Sequence, residues 1–264
     1  MSSVTLTQLL NEIGPAHVTG FFLVLARISP LFVLAPLFSS PMLPAQVRGT
    51  IAVGLSIGMT GVATQGQRIP EDALAIAGLT VEQLLVGVAF AVAIGGLYAA
   101  IEVAGALCDY LAGFTFGQAI DPMLGTQGGV LSQLYGLVGV MIFIAIGGDA
   151  WTLRGLTRTF DLVPLTRAPA LHPLISSVAQ AAASILTAAV EVAAPALLAV
   201  LITDVALGLV SRAMPQLNVF AVGFPLKVGI SLLVVAAALP FLGGWISNQI
   251  YESVNTALGA LRIG

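Results

Sequence analysis

Residues 73–107 carry only two charged side chains, Glu82 and Glu102. A stretch this apolar reads as one long helix. It is longer than a bilayer crossing, which takes roughly 20 residues, so it either extends beyond lipid or bends at Gly95-Gly96. Asp72, or Thr80 ahead of Glu82, offers a cap for its start. The rest of the chain is of the same kind: 58% of it is hydrophobic and 8% charged, against about 25% charged in soluble domains. Such a chain cannot cover a globule with polar surface. The expectation is an all-α protein, embedded in lipid or wrapped by partners.

Several function classes fall away at once. The formal charge is -3 and no basic run exists, so there is no footprint for nucleic acid. Cys108 is the one cysteine, which excludes an internal disulfide. His17 and His172 lie far apart without ligand spacing, so no metal is expected. There is no phosphate loop, dinucleotide fingerprint, His-Glu-x-x-His pair or Gly-x-Ser-x-Gly elbow. Asp121 and Asp204 lack the context of an intramembrane protease. The reading is a non-enzyme without cofactor. The first basic residue, Arg27, falls inside the first apolar run, which does not fit a cleavable signal peptide.

The informative positions are those that interrupt the apolar runs. Residues 18–38 contain Arg27, Pro30 and Pro36. An arginine there is costly against lipid, so Arg27 should face protein or a cavity, or else snorkel along its stem. Residues 39–50 read as a polar break that includes Pro41, Pro44 and Arg48. The next run, Ile51–Val62, is too short to span; its Gly54 and Gly58 have the spacing of close helix contacts. Residues 129–147 form a clean apolar helix closed by Gly147-Gly148, and 149–172 read as the longest polar connection. Arg154, Arg158 and Arg167 make that connection the best cytoplasmic candidate, which puts 39–72 inside and the N-terminus outside. Residues 173–211 are alanine-rich, with Glu191, Asp204 and a kink expected at Pro195. Glu82 and Glu102 suit proton-relay acids or paired structural ones.

Two interruptions stand out. Gly113-Phe114-Thr115-Phe116-Gly117 sets two phenylalanines between glycines, and Asp121-Pro122 closes the stretch in a turn. Large apolar side chains on flexible backbone suit a hydrophobic gate; the alternative is a loop whose aromatics pack on the bundle. The second, 212–227, holds Arg212, Pro215, Gln216, Asn218, Phe220, Pro225 and Lys227 between two apolar runs. Such a break is costly unless protein or water surrounds it.

With Asp204-Val-Ala-Leu-Gly-Leu-Val-Ser-Arg212, then Pro215-Gln-Leu-Asn-Val-Phe220 and Gly223-Phe-Pro-Leu-Lys227, the sequence resembles the FliR family of flagellar export proteins, related to the SctT proteins of virulence type III secretion. Arg27-Ile-Ser-Pro, Pro41 through Arg48, Phe116 to Asp121-Pro122, Ser132-Gln-Leu and Phe160 before Pro164 follow in the family's order. Asp149 departs, standing where the family often has His.

The resemblance implies a membrane-associated export-gate subunit of helical hairpins and broken helices. A FliP-like half, 1–172, would precede a FliQ-like half, 173–264. Implied partners are FliP-like and FliQ-like gate subunits, a FlhB-like switch protein, a FlhA-like export protein, rod proteins such as FliE, and exported unfolded polypeptides. The place implied is the inner membrane at the flagellar basal body, with much of the assembly above the bilayer plane. Residues 110–125 match the family's plug loop, so Gly113, Phe114, Phe116, Gly117, Asp121 and Pro122 become plug residues, with the two phenylalanines sealing. Arg27, Arg48, Asp204, Arg212, Pro215, Gln216, Asn218, Phe220, Pro225 and Lys227 are expected at subunit contacts or the lumen. The competing reading is a small-solute secondary transporter, which also uses broken helices and buried charges.

Overall fold

The computed structural model describes residues 15–35, 38, 44–114, 129–216 and 218–262. Among these the chain is helical, without strands: α1 Pro15–Leu34, α2 Ala45–Ala63, α3 Ala73–Ala112, α4 Val130–Ala145, α5 Gly148–Leu162, α6 Leu171–Ala213 and α7 Val219–Arg262. Four of them, α1, α3, α6 and α7, are long and apolar enough to cross a membrane; α4 and α5 add a fifth span if they count as one broken crossing.

Three boundaries differ from expectation. The break expected over 39–50 gives way at Ala45, where α2 begins after Pro44; proline's fixed φ favours a helix start rather than a loop. Residues 149–162, expected as polar connection, are helical. One face of α5 is buried at Thr152, Leu156, Thr159 and Phe160, a helical period that its arginines obscure. The break of 212–227 shrinks to the few residues between Ala213 and Val219. α7 runs on through Pro225 and Pro240, as α6 does through Pro195.

The chain forms two compact units. Unit 1 comprises 1–95, 149–182 and 251–264; unit 2 comprises 96–148 and 183–250. Both draw on residues before and after 172.

In unit 1, α1 and α3 touch backbone to backbone. A Cβ on Gly87 would lie 2.2 Å from the Arg27 carbonyl oxygen, and one on Gly95 would lie 2.9 Å from that of Leu34. The matched spacing sets the two helices parallel. Such close approach is what binds helices in lipid, where apolar burial alone gives no preference for protein over acyl chain. Gly54 and Gly58 on α2 meet nothing within 4 Å. Val86, Val163, Leu174 and Leu261 form a core nearby.

Arg27 lies inside this unit at 0% exposure. Its Nε donates to Gln83 Oε1 at 2.7 Å, and one terminal nitrogen donates to the same oxygen. The terminal nitrogens also donate to the carbonyls of Thr159 (2.9 Å) and Val163 (2.8 Å). The guanidinium sits 4.4 Å from the centroid of the Phe160 ring. Gln83, also fully buried, donates onward to the Leu165 carbonyl at 3.1 Å. These partners are neutral, but Thr159 and Val163 lie at the C-terminal end of α5. Carbonyls there carry the negative end of the helix dipole; that of Thr159 also accepts from the Val163 N–H at 3.0 Å, and that of Val163 lies beyond the helix's own donors. Arg27 therefore caps α5 from α1. Its donors are met by protein within the chain, as befits an arginine that is costly against lipid.

Candidate functional site

Unit 2 holds both stretches that stood out in the sequence. Its frame is an antiparallel pair, the second half of α3 with α4. Tyr98 meets Phe143 edge to face at 5.3 Å. A Cβ on Gly139 would lie 3.1 Å from Ile101, and one on Gly105 would lie 2.5 Å from the Ser132 Cα.

This pair is joined at one end by Asp109. α3 stops because Gly113 turns to φ +90, a left-handed conformation that glycine adopts without strain. The Gly113 and Phe114 N–H groups then bond back to the Asp109 carbonyl at 3.1 and 3.0 Å. The Phe114 bond is the 6→1 bond of a Schellman cap and the Gly113 bond the 5→1 bond of an αL cap. The Asp109 side chain, 1% exposed, points to the other helix. Its Oδ1 accepts from Leu131 N–H at 2.9 Å and its Oδ2 from Ser132 N–H at 2.8 Å. The N-cap of α4 is Gly129, which supplies no side-chain cap. The missing cap comes from Asp109, placing a carboxylate at the positive end of α4. Glycine at 129 is the complement of this arrangement, because a Cβ there would fall 1.9 Å from the Asp109 carboxylate.

Phe114 directly follows this cap. Its ring meets that of Phe224 from α7 edge to face, centroids 6.1 Å apart and planes at 70°. The stretch Gly113-Phe114 and the stretch Gly223-Phe224-Pro225, far apart in sequence, thus share one contact. Behind Phe224, Lys227 of α7 forms an ion pair with Asp204 of α6. Further along the same helices Trp245 donates its indole N–H to Glu191 at 3.2 Å. These two contacts tie α6 and α7 into an antiparallel hairpin.

Asp204 and Lys227 therefore answer each other's charge. The turn of the hairpin is exposed, with Arg212, Pro215, Gln216 and Asn218. The Asn218 side-chain oxygen accepts from Ala221 N–H at 3.1 Å, capping α7. Pro225 is exposed on the first turns of α7, and Arg48 is half-buried on α2 in unit 1. Phe116, Gly117, Asp121, Pro122 and the Phe220 side chain lie outside the described residues.

Two residues that organise the chain, Gln83 and Asp109, were not singled out from sequence. Each is a polar side chain within an otherwise apolar helix, the signal that drew attention to Arg27. What hid them is that their partners lie 56 and 22 residues away.

The hairpin faces are apolar as well as charged. Leu198, Leu201, Ile202, Val205 and Leu209 of α6 and Leu233 and Phe241 of α7 are all exposed. Apolar area of that extent marks a surface for lipid or for another protein.

Comparison with known proteins agrees with this picture. Residues 18–253 match the family model described as bacterial export proteins, family 1. The chain is 25% identical over 248 residues to the flagellar biosynthetic protein FliR of Escherichia coli K12, covering 94% of this chain and 95% of that protein. It is 26% identical over 247 residues to FliR of Bacillus subtilis, covering 92% and 95%. It is 26% identical over 212 residues to the surface presentation of antigens protein SpaR of Salmonella typhimurium, covering 80% and 79%. The match runs from α1 almost to the end of α7 and takes in Asp109, Phe114, Phe224 and the Asp204–Lys227 pair, and the chain belongs to the bacterial export proteins of family 1, the FliR family.

Proposed function

We propose that the chain is a non-enzymatic core subunit of a flagellar type III export gate in the bacterial inner membrane. It helps to form the channel through which unfolded polypeptides cross, and Phe114 with Phe116 seals that channel at rest. The observation that carries this reading is the family match over residues 18–253, which includes the Gly223-Phe224-Pro225 signature. The contact of Phe114 with Phe224 supports it, since it links the proposed sealing residue to that signature. Assembly with FliP-like and FliQ-like subunits, and contact with FlhB-like and FlhA-like proteins and FliE-like rod proteins, belong to the same proposal. The exposed apolar faces of α6 and α7 suit subunit packing, and Arg212, Gln216 and Asn218 at the turn offer polar contacts.

A solute transporter would need buried charge free to bind its substrate. Arg27, a natural candidate, is already occupied by Gln83 and the end of α5. The test is ionic conductance of the assembled complex in planar bilayers. Phe114→Ala with Phe116→Ala should raise the leak while the subunits still copurify; wild-type conductance in a fully assembled complex would overturn the sealing role.

A further inference from the structure

Asp109 holds both sides of one junction. Its backbone carbonyl receives the N–H groups of Gly113 and Phe114, and its carboxylate receives those of Leu131 and Ser132. The Leu131 and Ser132 N–H groups belong to the first turn of α4 and have no partner within their own helix, and the Asp109 carbonyl belongs to the last turn of α3. Burial makes them costly to leave unmet, and each carboxylate bond is charge-assisted and stronger than a neutral one. The junction also has little room to slip. Gly129 faces the carboxylate and Gly105 faces Ser132, each at a distance that excludes a methyl group. Phe114, the first residue beyond the cap, inherits its position from this junction.

We propose that Asp109 is a positioning residue for the export gate: it locks the end of α3 to the start of α4 and so fixes where Phe114 stands. The inference rests on the reading of Phe114 as a sealing residue. An asparagine side chain in place of Asp109 could not reproduce the lock. Its oxygen accepts from one N–H, but its NH2 group presents hydrogens to the other. Replacement by asparagine therefore frees one side of the junction at nearly constant volume. Glutamate keeps the charge on a longer stem and recovers part of the function.

The experiment uses the chain coexpressed with its gate partners, purified as a complex and reconstituted in planar bilayers. Potassium chloride conductance is read for Asp109→Asn, Asp109→Glu, Phe114→Ala and the double variant Asp109→Asn with Phe114→Ala. Asp109→Asn is expected to assemble normally and to raise the leak on the order of tenfold, the effect of losing one buried charge-assisted bond. Asp109→Glu should fall between it and wild type. The double variant should leak no more than Phe114→Ala alone, because Asp109 acts through Phe114. Amide exchange at Leu131 and Ser132 should quicken in Asp109→Asn. Wild-type leak in Asp109→Asn beside a leaky Phe114→Ala would overturn the positioning role and leave the sealing reading intact. Wild-type leak in both would overturn the sealing reading, and the positioning role with it. Additive leak in the double variant, or failure of Asp109→Asn to assemble, would assign Asp109 to the general fold and equally overturn the proposal.

Discussion

Phe114 rests edge-on against Phe224, one ring from the end of α3 and one from the first turns of α7. Phe224 is 41% exposed and stands three residues before Lys227, which pairs with Asp204. Its neighbours Gly223 and Pro225 belong to the stretch 212–227 that stands out in the sequence, so that stretch has a structural task within the chain. Edge-to-face pairing is worth about 0.5–1.5 kcal/mol beyond area burial. That is enough to bias the position of Phe114 and too little to fix it alone.

Phe224→Ala should therefore raise conductance through the assembled complex, but by less than Phe114→Ala, roughly two- to tenfold on the energy of one aromatic pair. Phe224→Leu, which keeps apolar bulk but loses the ring edge, should fall between. Bilayer recordings on complexes of equal subunit content check the order. Equal leak in wild type and Phe224→Ala would remove Phe224 from the sealing contact.

The apolar runs made the helices legible, because lipid or close protein neighbours permit little else. Helix starts and stops were harder. Pro44 and Pro225 carry the same residue type; one precedes the first residue of α2 and the other lies inside α7. Composition alone could not separate them, because Lys227 finds Asp204 only once the hairpin has closed. The polar look of 149–162 came from one face of α5, while Leu156 and Phe160 on the other were already at helical spacing. Arg27 was recognisable as a residue that lipid could not accommodate. Its answer, Gln83 and the end of α5, depends on Gly87 letting α1 approach α3 to backbone contact. No local pattern encodes such a contact. The same holds for Asp109, whose partners are backbone N–H groups and carry no side-chain signature.

Arg27→Met should destabilise the chain strongly. It leaves the Gln83 side-chain oxygen and the Val163 carbonyl without the donor they now have, and the Thr159 carbonyl with only the Val163 N–H. Unmet buried acceptors cost about 1–3 kcal/mol each, so a loss on the order of 3 kcal/mol or more is expected. Arg27→Lys keeps the charge but lacks the planar fork that reaches three acceptors, and should be intermediate. Thermal melting of the detergent-solubilised complex is the measurement, with a fall of roughly 5–10 °C for Arg27→Met. A melting temperature unchanged by Arg27→Met would show that the cap on α5 is dispensable.

Gly87 and Gly54 should respond differently to the same change. A methyl at 87 meets the backbone oxygen of Arg27 at 2.2 Å, whereas one at 54 meets nothing within 4 Å. Backbone cannot swing aside as a side chain can, so Gly87→Ala must push α1 from α3 and disturb the Arg27 bonds. Overpacking of this kind costs about 1–3 kcal/mol. Gly54→Ala should leave the chain's own stability unchanged or slightly raised, alanine being the better helix former. Any loss of copurifying subunits with Gly54→Ala would then report a contact between α2 and a partner. Yield and melting temperature of the two variants, prepared in parallel, decide the comparison.

The Asp204–Lys227 pair lends itself to a double-mutant cycle. Its side chains are 47% and 23% exposed on the chain alone, on a hairpin whose outer faces are apolar. Covered by lipid or by another subunit, either charge left alone would be unfavourable, on the order of 2.5–3.5 kcal/mol at membrane depth. Asp204→Leu and Lys227→Leu should each reduce assembly of the complex several-fold. The double variant, with no charge to strand, should recover much of the loss, and the exchange Asp204→Lys with Lys227→Asp should recover it further if the hairpin tolerates the reversed order. Subunit content of the purified complex is the readout. Losses that simply add in the double variant would mean that the two charges act on separate partners rather than on each other.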